Sequence, residues 1–222
     1  MKPQSTLGRA TTPDGKELVL YERDGVYSIR VNGLELMSSR AHGSEEDMAR
    51  LVLARVKVPA PVILVGGLGL GYTLRAVLDA MPAKSRVVVA EIFPAVVEWN
   101  RAELADLAGA PLLDHRVRVE TRDVGEIINR SPTVFDAVLL DVDNGPDAFT
   151  IDRNKRLYGP RGLALIRRSL RPQGVLGVWS ADPDKAFERR LSKAGFRLNT
   201  QTVPAYHGAK GTKHTIFIAK LS

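Results

Sequence analysis

"VILVGGLGLGYTLRAVLDA", residues 62–80, decides the fold. Residues 62–65 form an unbroken apolar run, the mark of a strand covered on both faces. Gly67, Gly69 and Gly71 follow at alternate positions. Leu74, Val77, Leu78 and Met81 then recur at the spacing of one helix face. The stretch reads as strand, glycine turn, helix, the place where open α/β sheets bind nucleotides. Its spacing is G-x-G-x-G. The dinucleotide spacing G-x-G-x-x-G would need a glycine at 72, where Tyr72 stands.

Similar apolar runs recur outward from this unit: "VVVA" at 87–90, "AVLL" at 137–140 and "VLGV" at 175–178. "RVRVET" at 116–121 adds another strand, and stretches of helical spacing separate the runs. Apolar strands alternating with helices predict a doubly wound, mostly parallel sheet. "FRLNTQTV" at 196–203 and "HTIFIAK" at 214–220 predict a closing hairpin at the sheet edge. Before residue 59 the pattern differs. Asp24-Gly25 and Asn32-Gly33 punctuate β-rich runs, predicting a small antiparallel hairpin or meander over 17–38. Ser44 with Glu45, Glu46 and Asp47 predicts a helix start, its acids complementing the helix dipole, and the helix runs to about Val56. The expected organisation is a flexible arm at 1–13, a β-hairpin plus helix at 14–58, and a Rossmann-like nucleoside-binding domain at 59–222.

The 222 residues suffice for a core without disulfides, and the chain has no cysteine. Disulfides, thiolate zinc sites and cysteine nucleophiles are thereby excluded. The four histidines lack metal spacing, and no metal is expected. Neither a signal core nor a membrane-spanning run is present, so a cytoplasmic protein without membrane contact is expected. The net charge of +7 raises the question of an anionic partner, although a solvated basic surface is the simpler account of it.

Polar residues gather at the predicted strand ends. Glu91 ends the second apolar run, where a carboxylate can accept hydrogen bonds from both ribose hydroxyls. Asp123 follows the third strand, as an acceptor for an adenine amino group, a helix N-cap, or both. Asp141, Asp143 and Asn144 follow "AVLL" and end in Gly145-Pro146. Two carboxylates there suggest that a cationic group is awaited, while turn chemistry alone also accounts for Asp143 and Asn144. Trp179 ends the fifth apolar run and is placed beside the pocket.

Taken in order, "VGGLGLGYTLRAVLD", "VVVAEIFPAVVEWNR", "RVRVETRDVGEII", "FDAVLLDVDNGP" and "RLYGPRGLALIRRSLRPQGVLGVWS" resemble the spermidine synthase-like family, relatives of the Rossmann-type S-adenosylmethionine methyltransferases. The resemblance covers about residues 15–220. It implies a seven-strand sheet with the last strand antiparallel, and a homodimer. It also implies an adenosyl sulfonium donor held by Gly67, Gly69, Gly71, Glu91, Asp123 and Val124. The family's glycine loop carries an aspartate where this chain has Leu70. Its D-x-x-D motif is matched at Asp141, but Asn144 replaces the second aspartate. The family's Tyr-x-Glu-Met is replaced around Glu45–Met48. Tyr158 falls in the segment that closes over the acceptor in the family, where it either lines the site or packs the next helix.

Alkyl transfer from a sulfonium is an in-line displacement from an already activated donor, so the protein's task is positioning. An amine nucleophile must lose a proton, and Asp141, with Asp143 beside it, is the expected carboxylate. The expected donor or ligand is S-adenosylmethionine, its decarboxylated form or methylthioadenosine, and the expected acceptor is a small amine. Two other functions compete. One is methyl transfer to a small, anionic or nucleic-acid substrate met by Arg153, Lys155, Arg156 and Arg161; the other is a non-catalytic adenosine-binding module.

Overall fold

The computed structural model describes residues 3–142, 156–206 and 211–221. Two sheets form. The first is antiparallel, in the order β1 (Ser5–Thr11), β2 (Glu17–Arg23), β3 (Val26–Val31), β4 (Leu34–Ser38). Asp24-Gly25 and Asn32-Gly33 all have positive φ, between 48° and 80°. Paired positive φ gives the tight turns whose twist matches the flanking strands. The predicted meander over 17–38 is therefore three strands of a four-strand sheet.

The fourth strand departs from the expectation of a loose arm. Residues 5–11 pair antiparallel with β2, and the turn between them is closed by the Thr12 hydroxyl, which accepts from the Lys16 N–H at 2.9 Å. "STLGRAT" shows no apolar alternation because its faces are mostly exposed. Gly8 marks where β1 crosses Trp99, and a Cβ there would overlap the indole nitrogen and lie 2.7 Å from Cε2.

The second sheet has seven strands. Its order is β10 (Phe196–Pro204), β11 (Lys213–Leu221), β9 (Leu170–Ser180), β8 (Phe135–Leu140), β5 (Val62–Gly66), β6 (Arg86–Ala90), β7 (Val117–Glu120). Strands β5 to β9 pair in parallel, and β11 is antiparallel to both β9 and β10. The tail is a hairpin as expected, with β10 as the edge and β11 inside the sheet.

Among the described residues, six α-helices cover this sheet. On one face lie α1 (Gly43–Leu53), α2 (Tyr72–Ala80) and α3 (Pro94–Arg101), together with the small sheet. On the other lie α4 (Val124–Arg130), α5 (Pro160–Ser169) and α6 (Lys185–Lys193). Along β5 the faces alternate: Ile63 and Val65 enter the first core, Val62 and Leu64 the second. Both sides being apolar is why the strand reads as an unbroken run. Leu18, Leu20, Ile29 and Val31 join Met48 and Val52 in the first core, which docks the small sheet. Gly177 on β9 admits α1 closely, since a Cβ there would crowd Val52.

The Gly8 crossing generates a stability test. Gly8→Ala must displace Trp99 or lift β1, and overpacking of this kind costs about 1–3 kcal/mol. The expected outcome is a melting temperature lowered by about 2–4 °C for each kcal/mol. An unchanged thermal melt would show that β1 is not held on Trp99.

Candidate active site

A cavity of about 320 Å³ opens at the C-terminal ends of β5, β6 and β8, beneath β4 and the start of α1. The glycine turn forms its floor. Gly67, Gly69 and Gly71 have φ of 91°, 53° and 89°, a left-handed region that favours glycine. A side chain on Gly67 would strike the backbone carbonyl of Asp141, so the turn passes directly over the end of β8. Gly67, Gly69 and Leu70 line the cavity. Gly71 serves differently: it is the N-cap of α2, and a Cβ there would press on Asn100, Ala108 and Pro111. Buried Asn100 donates from Nδ2 to the Gly69 carbonyl at 2.8 Å and to the Val96 carbonyl at 2.9 Å, tying the loop to α3. Sequence reading did not single out this residue, because an asparagine inside a helix carries no local signal of what it reaches.

The predicted acids at β6 and α4 face the same space. The Glu91 carboxylate accepts from Leu68 N at 3.0 Å and from Phe93 N at 2.9 Å. Burial pushes its pKa up, and these backbone bonds oppose the rise. Asp123 caps α4 by accepting from Glu126 N at 3.2 Å and also lines the cavity. Val124 lines the wall and packs tightly on Gly66.

The far end is acidic. Asp141 accepts from Thr73 Oγ1 at 2.6 Å, and burial raises its pKa to about 6. Glu45, at the start of α1, lines the same cavity; burial first, then the charge of Asp141, pushes its pKa up to about 8. Sequence reading assigned Glu45 to the helix dipole, because only the docking of α1 on β9 brings it to a residue almost a hundred positions away. Ser44 Oγ lies 2.7 Å from Glu45 Oε2, 2.9 Å from His214 Nδ1 and 3.0 Å from Trp179 Nε1. Trp179 and His214 also line the cavity, their rings edge to face at 4.6 Å.

Tyr158 does not line it. The side chain is buried in the opposite core, edge-on to Phe187 at 5.5 Å, which corrects its assignment to the acceptor side. Apolar packing between α5 and α6 claims the ring. Asp143, Asn144, Arg153 and Lys155 lie outside the described residues, and Arg156 and Arg161 are exposed. Among the described residues no group of three or more His, Asp or Glu side chains could hold a metal ion.

The raised carboxyls imply a pH-dependent stability. With folded pKa values above the unfolded ones, the folded state holds protons that the unfolded chain has released. Stability therefore falls as pH rises, between about 4 and about 8. Glu45→Gln removes its share of that loss. The variant is expected to melt above the wild type at about pH 9, by several degrees, with the difference shrinking towards about pH 5. Parallel melting curves at the two pH values would show that Glu45 is not held neutral by the fold.

No family model matches the chain. A polyamine aminopropyltransferase from Oceanobacillus iheyensis is 29% identical over 185 residues, covering 82% of this chain and 33% of that protein. One from Mycobacterium tuberculosis is 33% identical over 163 residues, covering 71% of this chain and 30% of that protein. The chain thus spans about a third of the length of these relatives. A spermidine synthase from Thermotoga maritima superimposes with a TM-score of 0.78 at 17% identity, over 98% of this chain and 73% of its own. A spermidine synthase in complex with the transition-state analogue AdoDATO gives 0.77 at 17% identity, over 98% and 72%. With the sheet order, the glycine turn and the strand-end acids gathered at one cavity, these similarities mean that the chain belongs to the spermidine synthase-like family.

Proposed function

We propose that the cavity binds an adenosyl sulfonium donor and directs transfer of its aminopropyl-type group to a small amine. The observation that carries this reading is the joining, in one cavity, of a glycine-and-acid wall to a partly buried carboxyl pair, Asp141 and Glu45. Gly67 and Gly69 let the donor approach the backbone, Glu91 takes the ribose hydroxyls, and Asp123 with Val124 borders the base. The curated relatives' names point the same way. Asp141 holds the acceptor ammonium opposite the sulfonium and accepts its proton, freeing the lone pair for in-line attack. Methyl transfer to an anionic or nucleic-acid substrate fits less well, because the acceptor end is acidic. A passive adenosine-binding module gives no role to the carboxyl pair.

Leu70 sets the donor's form. It lines the cavity and is almost fully buried among apolar neighbours. An apolar side chain there does not repel a donor carboxylate, so S-adenosylmethionine is accommodated beside its decarboxylated form. Only a donor bearing the aminopropyl group supports the proposed transfer.

Two measurements test the reading together. Calorimetric titration with S-adenosylmethionine, its decarboxylated form and methylthioadenosine should show binding of all three. Single-turnover transfer from the decarboxylated donor to a panel of linear diamines should show turnover. Asp141→Asn should lower the rate by about 10²–10⁴-fold, the worth of a general base, with little change in donor affinity. Binding of none of the three nucleosides would remove the proposal, and a near-normal rate for Asp141→Asn would remove the base.

The same reading assigns the protein to the cytoplasm, without membrane contact, as a homodimer joined through the small sheet at 17–38. Among the described residues no helix is long and apolar enough to cross a membrane. The exposed Leu34, 75% accessible at the β3–β4 turn, gives that sheet an apolar tip to bury. Light scattering at high concentration should report twice the chain mass, and a persistent monomer would exclude the dimer.

A further inference from the structure

The proton that the acceptor amine loses must leave a buried cavity, and the hydrogen bonds around Ser44 bear on how it does so. Ser44 is fully buried. Its hydroxyl has three neighbours: Glu45 Oε2 at 2.7 Å, His214 Nδ1 at 2.9 Å and Trp179 Nε1 at 3.0 Å. A hydroxyl offers one proton and two lone pairs. The indole N–H can only donate, so Trp179 fills one lone pair. The single Ser44 proton goes either to Glu45 or to His214, and the other neighbour must donate into the second lone pair.

Two arrangements satisfy every group. In one, a neutral Glu45 donates to Ser44, and Ser44 donates to a bare His214 Nδ1. In the other, Ser44 donates to an ionised Glu45, and His214 donates from Nδ1 to Ser44. They differ by one proton passed between Glu45 and His214 through the serine. We propose that Glu45, Ser44 and His214 form a proton exit from the acceptor end of the cavity, with the Ser44 hydroxyl as the carrier. The inference rests on the alkyl-transfer reading in that the exiting proton is the acceptor amine's.

The step balances. One N–H bond of the acceptor ammonium breaks, and an O–H bond forms on the carboxyl pair. Glu45 gives its Oε2 proton to Ser44 Oγ, and Ser44 gives its hydroxyl proton to His214 Nδ1. The imidazolium then releases its Nε2 proton to water. The lone pair left on the amine attacks the donor carbon as the carbon–sulfur bond breaks.

The surroundings suit these roles. Glu45 faces Asp141 at the end of β8, Tyr72 at the start of α2 and Glu46 along its own helix. Burial and the Asp141 charge hold it neutral up to about pH 8, so it has a proton to hand on. His214, on β11, is half-buried, and burial lowers its pKa against the opposing charge of Asp182. It is thus neutral and able to accept. His42 is committed elsewhere, stacked on Tyr72 at 4.0 Å and bonded to Glu46 at 2.7 Å.

Nitrogen-15 NMR of the wild type tests the exit, with the His214 signals assigned through His214→Ala. As Glu45 ionises near pH 8, the His214 proton should shift from Nε2 to Nδ1. Glu45→Gln and Ser44→Ala should both abolish this tautomer switch. A switch unchanged in Glu45→Gln, or no switch in the wild type, overturns the proposal, whether or not the protein transfers anything.

The second arm is single-turnover transfer from decarboxylated S-adenosylmethionine to linear diamines. His214→Ala should slow it by about ten- to a hundredfold, within the range of acid–base catalysis, and added imidazole should restore most of the rate. A packing defect would not respond to imidazole. A His214→Ala rate close to wild type, or no rescue, overturns the exit. A wild type that shows the switch but no transfer supports the proton path and instead removes the alkyl-transfer reading.

Discussion

The crossing of Gly67 over the Asp141 carbonyl organises the site. The glycine turn leaves β5 with positive φ, and no side chain fits between it and the end of β8. The hydrogen bond from Asp141 N to the Gly66 carbonyl at 2.8 Å holds the two strand ends in register. One backbone contact thereby sets both the floor of the cavity and the position of the Asp141 carboxyl. Glu91 and Asn100 extend the restraint, one by accepting from the loop at Leu68, the other by donating to Gly69. The loop therefore stands preorganised, without needing a ligand to shape it.

A second constraint is electrostatic. Glu45 and Asp141 are partly buried in the same cavity, and the Asp141 charge acts on Glu45. Burial raises both pKa values, and the Asp141 charge raises that of Glu45 further, so a proton is retained at neutral pH. Such a pair is a cost to folding and, on the proposed reading, an asset in receiving a cationic amine and removing its proton. The basic surface of the chain does not contradict an amine substrate, because the local field at the cavity end is acidic.

The small sheet and α1 finish what the large sheet begins. Met37 on β4 lies over Gly69, where a Cβ would approach its sulfur at 3.1 Å. Helix α1 carries Ser44 and Glu45 to the cavity because its apolar face, Met48 and Val52, seats on β9 at Gly177. The N-terminal part of the chain thus supplies the cover of the cavity and the Glu45 carboxyl at its acidic end.

Local sequence determined the strand–turn–helix unit at 62–80, the alternation that makes a parallel sheet, the tight turns at Asp24-Gly25 and Asn32-Gly33, and the acids at strand ends. These are short-range properties: apolar periodicity, the conformational freedom of glycine, and the convergence of parallel strand ends at one edge. Strand β1 was not legible, since an exposed strand has no apolar alternation and the tryptophan it crosses is distant in sequence. Tyr158 looked like a site residue until packing against Phe187 claimed it. Glu45 looked like a helix-terminal acid until α1 was docked. Only the tertiary structure decided that Glu45, Ser44, Asp141, Trp179 and His214 meet, because their encounter depends on how α1, β8, β9 and β11 pack, and no local pattern in the chain encodes a contact across 170 positions.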